Sequence, residues 1–273
     1  MNRKNSTPVF HKAFTLVELL VVISIISLLM SILVTSINSS RSQAKEIVCK
    51  NNLRQLALAN ENYANDHHNY SVPGASDILS DNLHRWYGIR ENTDLPFDPL
   101  KGPLSPYLQG CVAECPQNVK YTSIAPNTSD YEFGNGGYGY NLAYLGSQIW
   151  QVGYEDHSCK ESTKITNIKR PQETLLFADT AMAKWVEGNV CLIMYAFAEP
   201  RHFVIGHKPE ETWNPYPSLH FRHRKTANIA WADSHITDKK IGRYDGLNND
   251  GTRSSDFNVG WFEPMDNSLF DIE

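Results

Sequence analysis

The residues best equipped for chemistry lie between positions 201 and 235, where His202, His207, His220, His223 and His235 accompany Asp233. Imidazole nitrogens and carboxylate oxygens are zinc ligands, and a zinc ion with one open position activates water. His220, His223, Asp233 and His235 would therefore be the ligand set of a metal-binding hydrolase. However, His220-x-x-His223 is not the HExxH spacing of a helical metalloprotease, and no Glu stands beside the pair to act as base. The expected arrangement is a structural hydrogen bond between His223 and Asp233 across a hairpin, with the other histidines exposed. No Ser-His-Asp or Cys-His order has a nucleophile's context, and Cys191 falls in an apolar run. The chain is expected not to be an enzyme.

Five cysteines, Cys49, Cys111, Cys115, Cys159 and Cys191, leave at least one thiol unpaired. Cys111-Val-Ala-Glu-Cys115 could begin a zinc site, but such a site needs four ligands, and no second Cys pair or obvious Cys/His partner follows. A Cys111–Cys115 disulfide is the first expected pairing and Cys159–Cys191 the second, although sequence does not fix connectivity. Asp245, Asn248 and Asp250 make an oxygen-rich loop that could take calcium, the one cofactor considered. The loop fails the EF-hand pattern, and Asn and Asp beside Gly are also ordinary turn residues. The Gly-rich stretch Gly134–Asn141 lacks the Lys-Ser/Thr of a phosphate loop and reads as tight turns anchored by tyrosines.

The element that organises the chain lies at its other end. From Phe14 to Val34 the only charge is Glu18. About 20 apolar residues in helix cross a bilayer, so this run is a candidate transmembrane segment. Arg3, Lys4 and Lys12 precede it without any acid, which predicts a cytoplasmic N-terminus and an outward C-terminal end. A secretory cleavage site follows its apolar stretch. Here the small residue, Ala13, comes before it, so cleavage would keep the helix. Glu18 at hydrocarbon depth costs several kcal/mol unless it is paired or close to the interface. A cut after Ala13 would place a new amine on Phe14, near Glu18.

The stretch Ala13-Phe14-Thr15-Leu16-Val17-Glu18-Leu19 resembles the N-terminal processing and methylation motif of type IV pilins and type II secretion pseudopilins. The resemblance implies a prepilin peptidase that cuts before Phe14 and methylates its amine. It also implies that Glu18 of one subunit meets the Phe14 amine of the next during assembly. The residue before the cut is usually Gly in that family, whereas this chain has Ala13, also small. Further along, His223, nine residues and Asp233-Ser234 are similar to the H-x9-D-G element of a pilin-like family of planctomycetes, lentisphaerae and verrucomicrobia. Cys115-Pro116, Tyr138-Gly-Tyr-Asn141 and Pro171 to Asp179 are similar to its internal signposts. Ser234 stands where Gly is usual, which predicts a less tight or differently shaped turn.

Residues 35 to 65 contain no Gly or Pro, and Ile37, Ala44, Val48, Leu56, Ala59 and Tyr63 recur as an apolar stripe. One helix is thus predicted from Phe14 to about Asn65. The expected organisation is a leader over 1–13, a membrane half over 14–36, a periplasmic half over 37–65 and a globular head over 66–273. Residues 66 to 110 are turn-rich, with a short helical piece over Asp77–Tyr87 and aromatic anchors at Trp86, Tyr87, Phe97 and Tyr107. Strands are predicted over Thr174–Asp179, Val190–Phe197 and Ala227–Asp233, in an antiparallel sheet. The C-terminal aromatics, beginning with Trp261 and Phe262, are expected to pack on the head. The fold class is α+β, a long N-terminal helix on an antiparallel head, pilin-like.

Without the leader the chain holds 22 basic and 30 acidic residues, a net charge of −8 with His neutral. An acidic exported head is a poor binder of nucleic acid. The expected role is that of a single-pass inner-membrane subunit with its head in the periplasm or in an extracytoplasmic filament. Its partners would be the peptidase, the inner membrane and other subunits of a type II secretion pseudopilus or type IV pilus-like filament. The alternatives are the tethered metal-binding hydrolase and a filament-borne binding or adhesion head.

Overall fold

A computed structural model describes residues 15–108, 110–117, 132–153, 155–186, 188–206, 208–209, 215–243, 247–248 and 250–273. The chain divides into two compact units, the first ending at Ala44 and the second covering Lys45–Glu273. One helix, α1 (Leu16–Asp66), carries the predicted boundaries to within a residue or two. Its start has a local cause, a cap on Thr15. Its length follows from the absence of Gly and Pro between the two ends.

In the first unit every residue of α1 from Leu16 to Val34 is exposed, and the apolar stretch is long enough to cross a membrane. Such a surface suggests membrane anchoring, since water would solvate it poorly. In the second unit the same helix is amphipathic. Cys49, Leu53, Leu56, Ala57 and Ala64 are buried at helical spacing, together with the polar Glu46, Asn52 and Asn60. The predicted stripe is corrected at its start. Leu56 and Ala59 are buried, but Ile37 and Ala44 are exposed because packing begins only at Glu46, and Val48 is exposed on the other side of the helix from Cys49 and Leu53.

The rest of the second unit is built of short strands. A small hairpin joins β1 (His84–Arg85) to β2 (Gly88–Ile89). The expected helical piece over Asp77–Tyr87 is therefore a turn followed by this hairpin. Asp77 explains the change: its carboxylate accepts from the backbone N–H groups of Leu83 and His84, closing a loop that a helix would have to open. β3 (Tyr138–Tyr140) and β4 (Leu175–Asp179) follow, then the hairpin of β5 (Met182–Val186) and β6 (Asn189–Ile193). The minimal pair β7 (Val204–Ile205) and β8 (Lys208–Pro209) precedes β9 (Leu219–His220), β10 (Thr226–Trp231), β11 (Ile236–Lys240) and β12 (Val259–Gly260).

Four of these form one antiparallel sheet in the order β11-β10-β4-β3. The architecture is α+β, with a long N-terminal helix and antiparallel sheets in a globular head. Strand β6 ends at Ile193, short of the predicted Phe197, and pairs only with β5. The core beneath the sheet is aromatic. Trp86, Tyr138, Tyr140, Phe177 and Trp261 are essentially fully buried, each a burial that contributes on the order of 2–3 kcal/mol. The predicted docking of the C-terminal segment is observed, with Trp261, Phe262 and Phe270 in this core.

Candidate functional site

The second unit buries an unusual amount of charge at one end of β10. The turn before this strand places Arg224 and Lys225 at φ 54° and 69°, both in the left-handed region. His223 and Thr226 exchange two backbone hydrogen bonds of 3.0 Å across them, the geometry of a two-residue hairpin turn that Asn-Gly would satisfy without strain. The turn directs Arg224 outward to Glu46 of α1, at 2.7 Å, and His223 into the interior.

There His223 meets groups distant in sequence. Its Nε2 lies 3.2 Å from Asp179 Oδ2 and 3.5 Å from Cys115 Sγ, while Nδ1 lies 3.1 Å from Gln117 Oε1. Asp179 also accepts from Arg222 Nη2 at 2.7 Å and from the Asn228 N–H at 2.8 Å. Both side chains of the Arg222–Asp179 pair are completely buried. Burial works to raise the Asp179 pKa, but Arg222, His223 and the Asn228 N–H outweigh it and hold the carboxyl at about 2. Burial, with Arg222 beside it, pushes His220 down to about 3, so that imidazole stays neutral.

Cys115 is bonded to Cys49, 66 residues earlier on α1, with 5.1 Å between their Cα atoms. This corrects both expected pairings: Cys111, Cys159 and Cys191 are free. The reason lies in how the 112–115 segment docks on the helix. The Asn52 amide donates to Glu114 O at 3.2 Å, and the Cys115 N–H donates to Gly136 O at 3.0 Å. Cys115 is thereby turned into the core while Cys111 remains exposed.

The expected His223–Asp233 bond is also corrected. The two residues lie beyond opposite ends of β10, which separates them by roughly 20 Å of strand. Asp233 pairs instead with His235 on a surface turn between β10 and β11. His220, His223, Asp233 and His235 thus do not form one site, and His207 lies outside the described residues. Ser234 closes that turn at φ 68°, donating its N–H to Trp231 O at 2.9 Å, so the turn is tight although the residue is not Gly.

Of the calcium candidates, Asp245 lies outside the described residues. Asp250 Oδ1 accepts from the Thr252 N–H at 2.9 Å, and Asn248 donates to Ser254 Oγ at 2.8 Å, both bonds of an ordinary turn. Asn248 Oδ1 is buried with no hydrogen-bond partner among the described residues.

In the first unit a charged group is bonded at the start of α1. The Thr15 N–H donates to Glu18 Oε2 at 2.8 Å, the Thr15 hydroxyl donates to the same oxygen at 2.8 Å, and the Glu18 N–H donates to Thr15 Oγ1 at 3.2 Å. This is a capping box, with Thr15 at the N-cap and Glu18 three residues on. The T-x-x-E spacing announces it in the sequence, where Glu18 is otherwise read as a charge at hydrocarbon depth and as the assembly partner of the Phe14 amine.

Comparison with family models matches residues 10–34 to the prokaryotic N-terminal methylation motif. The chain carries a prepilin-type methylation motif. Neither the comparison with curated proteins nor that with solved structures gives a match. The methylation motif covers the predicted cut and the apolar run; Ala13 and Phe14 themselves lie outside the described residues. Within the motif, Glu18 is the one ionisable side chain of the apolar helix. Its described bonds go to the neighbouring Thr15 at the helix start. A motif of this kind implies prepilin peptidase processing and pilin-type assembly in general.

Proposed function

We propose that the chain is a structural subunit of a type IV pilus-like or type II secretion-like filament, cut between Ala13 and Phe14, and not an enzyme. The observation that carries this reading is the exposed apolar stretch of α1, Leu16–Val34, with Glu18 as its only charge within a methylation motif. Such a helix anchors the subunit in the inner membrane before assembly, with residues 1–13 cytoplasmic and the head outside. In the filament it exchanges lipid for neighbouring helices. Glu18 then pairs with the N-methylated Phe14 amine of the next subunit, a charge-assisted bond in a medium of low dielectric constant.

The capping box gives this step a specific form. Glu18 satisfies the start of its own helix while the subunit is alone, and one carboxylate has acceptor capacity for both Thr15 and an incoming ammonium. Closer kinship with the H-x9-D-G group rests on the ordered pieces from Cys115 to Ser234. Calcium at Asp245, Asn248 and Asp250 would brace the head in the same structural role, and calorimetric titration tests it.

Glu18→Gln separates capping from charge, because a capping box works with either residue. The variant should insert and fold as the wild type does. Its cross-linked oligomers should fall by roughly tenfold or more, the loss of one charge-assisted bond. Unchanged assembly would remove Glu18 from the mechanism.

A further inference from the structure

We propose that Cys49, Cys115, His223 and Asp179 form a closed four-ligand zinc site in the dithiol state of the chain. The two sulfurs and His223 Nε2 all lie within 4.8 Å of one another. Tetrahedral zinc has bonds of about 2.3 Å to sulfur and about 2.0–2.2 Å to nitrogen and oxygen, hence edges of about 3.5 Å for S···N and about 3.4 Å for N···O. The chain presents Cys115 Sγ to His223 Nε2 at 3.5 Å and His223 Nε2 to Asp179 Oδ2 at 3.2 Å. These two edges are already set. The sulfurs must part to about 3.8 Å, which a dithiol permits and a disulfide does not, and Asp179, which stands outside the 4.8 Å group of the other three, must close on the sulfurs as the metal enters.

The supporting groups are those that a metal centre requires. Gln117 Oε1 engages His223 Nδ1 at 3.1 Å, leaving Nε2 turned to the sulfur and the carboxylate. Arg222 holds Asp179 Oδ1 at 2.7 Å, leaving Oδ2 to face His223 Nε2 and the Asn228 N–H. Two thiolates and one carboxylate carry three negative charges, balanced by Zn2+ and Arg222. That neutrality suits the interior, where Cys49, Asp179 and His223 have no exposed surface and Cys115 is only 1% exposed. Two soft sulfur ligands select zinc over calcium or magnesium. Burial on all sides leaves no position open for water, so the metal would brace the fold and not hydrolyse a substrate. It would tie the 113–117 segment to α1 and to the turn before β10, the closure that the disulfide makes when the cysteines are oxidised.

A phosphine takes the oxygen of one water and becomes its oxide, giving two electrons and two protons to the disulfide, which opens to two thiols. Zinc then displaces the two thiol protons into solvent.

The test uses the full chain in detergent, unfolded with a phosphine, then refolded without oxygen with cobalt(II) or zinc(II) added. The expected result is one metal per chain retained through gel filtration. The cobalt form should show thiolate-to-metal charge transfer and the intense visible bands of a tetrahedral site. Zinc affinity should fall roughly 100-fold in Cys49→Ser and His223→Gln. Cys111→Ser, at the exposed free cysteine, should change nothing. A reduced chain that refolds without charge-transfer bands overturns the proposal, as does one that zinc fails to refold. Bands lost in Cys111→Ser would overturn it too, because the metal would then sit elsewhere. Should Cys49→Ser and His223→Gln not fold, the cobalt spectrum of the Cys111→Ser, Cys159→Ser, Cys191→Ser triple variant decides the matter: tetrahedral bands support the site and their absence refutes it.

Discussion

Glu18 and Asp179 are both carboxylates in apolar surroundings, one in the first unit and one in the second, and they are treated in opposite ways. Among the described residues Glu18 is bonded to Thr15, at an exposed helix start. Asp179 is enclosed by Arg222, His223 and the Asn228 N–H and has no exposed surface. The contrast separates two uses of a buried or lipid-facing charge. A carboxylate satisfied only by its own helix cap keeps capacity for another chain. One consumed by internal partners can only hold the fold together.

The comparison breaks most severely at Asp179. Asp179→Asn leaves Arg222 buried beside a neutral partner and should cost about 3–5 kcal/mol in denaturant unfolding of the chain. Glu18→Gln should leave the stability of the head within about 0.5 kcal/mol, because it alters only the exposed cap. Equal losses in the two variants would erase the distinction.

A second buried carboxylate sharpens it through pH. Burial raises the Glu199 pKa to about 7, with Glu132 adding to the rise and the Tyr195 hydroxyl opposing it. A carboxyl whose folded pKa exceeds its unfolded value binds a proton more tightly when folded. Its contribution to stability is complete below the unfolded pKa of about 4.3 and is lost as pH rises through about 7, on the order of 4 kcal/mol at most. Asp179, held at about 2, behaves in reverse, and its contribution disappears only as pH falls from about 4 toward 2. Glu199→Gln should therefore gain on the wild type between pH 5 and pH 8 in thermal unfolding. A difference that is flat with pH would show that Glu199 is not protonated in the fold.

A gain smaller than the effects at Asp179 and Glu199 is expected at Ser234. A non-Gly residue at φ 68° costs about 1 kcal/mol, so Ser234→Gly should raise stability by about that amount in the same unfolding assay. No gain would mean that the Ser234 side chain makes a compensating contact.

What could be read from the residues alone followed how local its cause was. Helix α1 was legible because an apolar run and the absence of Gly and Pro act residue by residue. Strands β4 and β10 were legible because their Ile, Leu, Phe and Trp content favours a pleated, buried surface. The sites were less so. Cys115 finds Cys49 through the fold, across 66 residues, while the nearer Cys111 faces away. Asp179 reads as a strand-end turn residue, yet its partners lie in the 222–228 segment, brought beside it by the pairing of β4 with β10. Asp233 does bond locally, to the His235 N–H, as a strand-end Asp should. The capping box at Thr15 and Glu18 was the exception, local and unread, because the same carboxylate has a second explanation as an assembly charge.

Mass spectrometry of the mature N-terminus from membranes tests most directly where the chain is cut. The predicted result is a chain that begins with N-methylated Phe14, leaving Glu18 near a new positive amine. An intact Met1, or a cut beyond Val34 that removes the apolar helix, would contradict it.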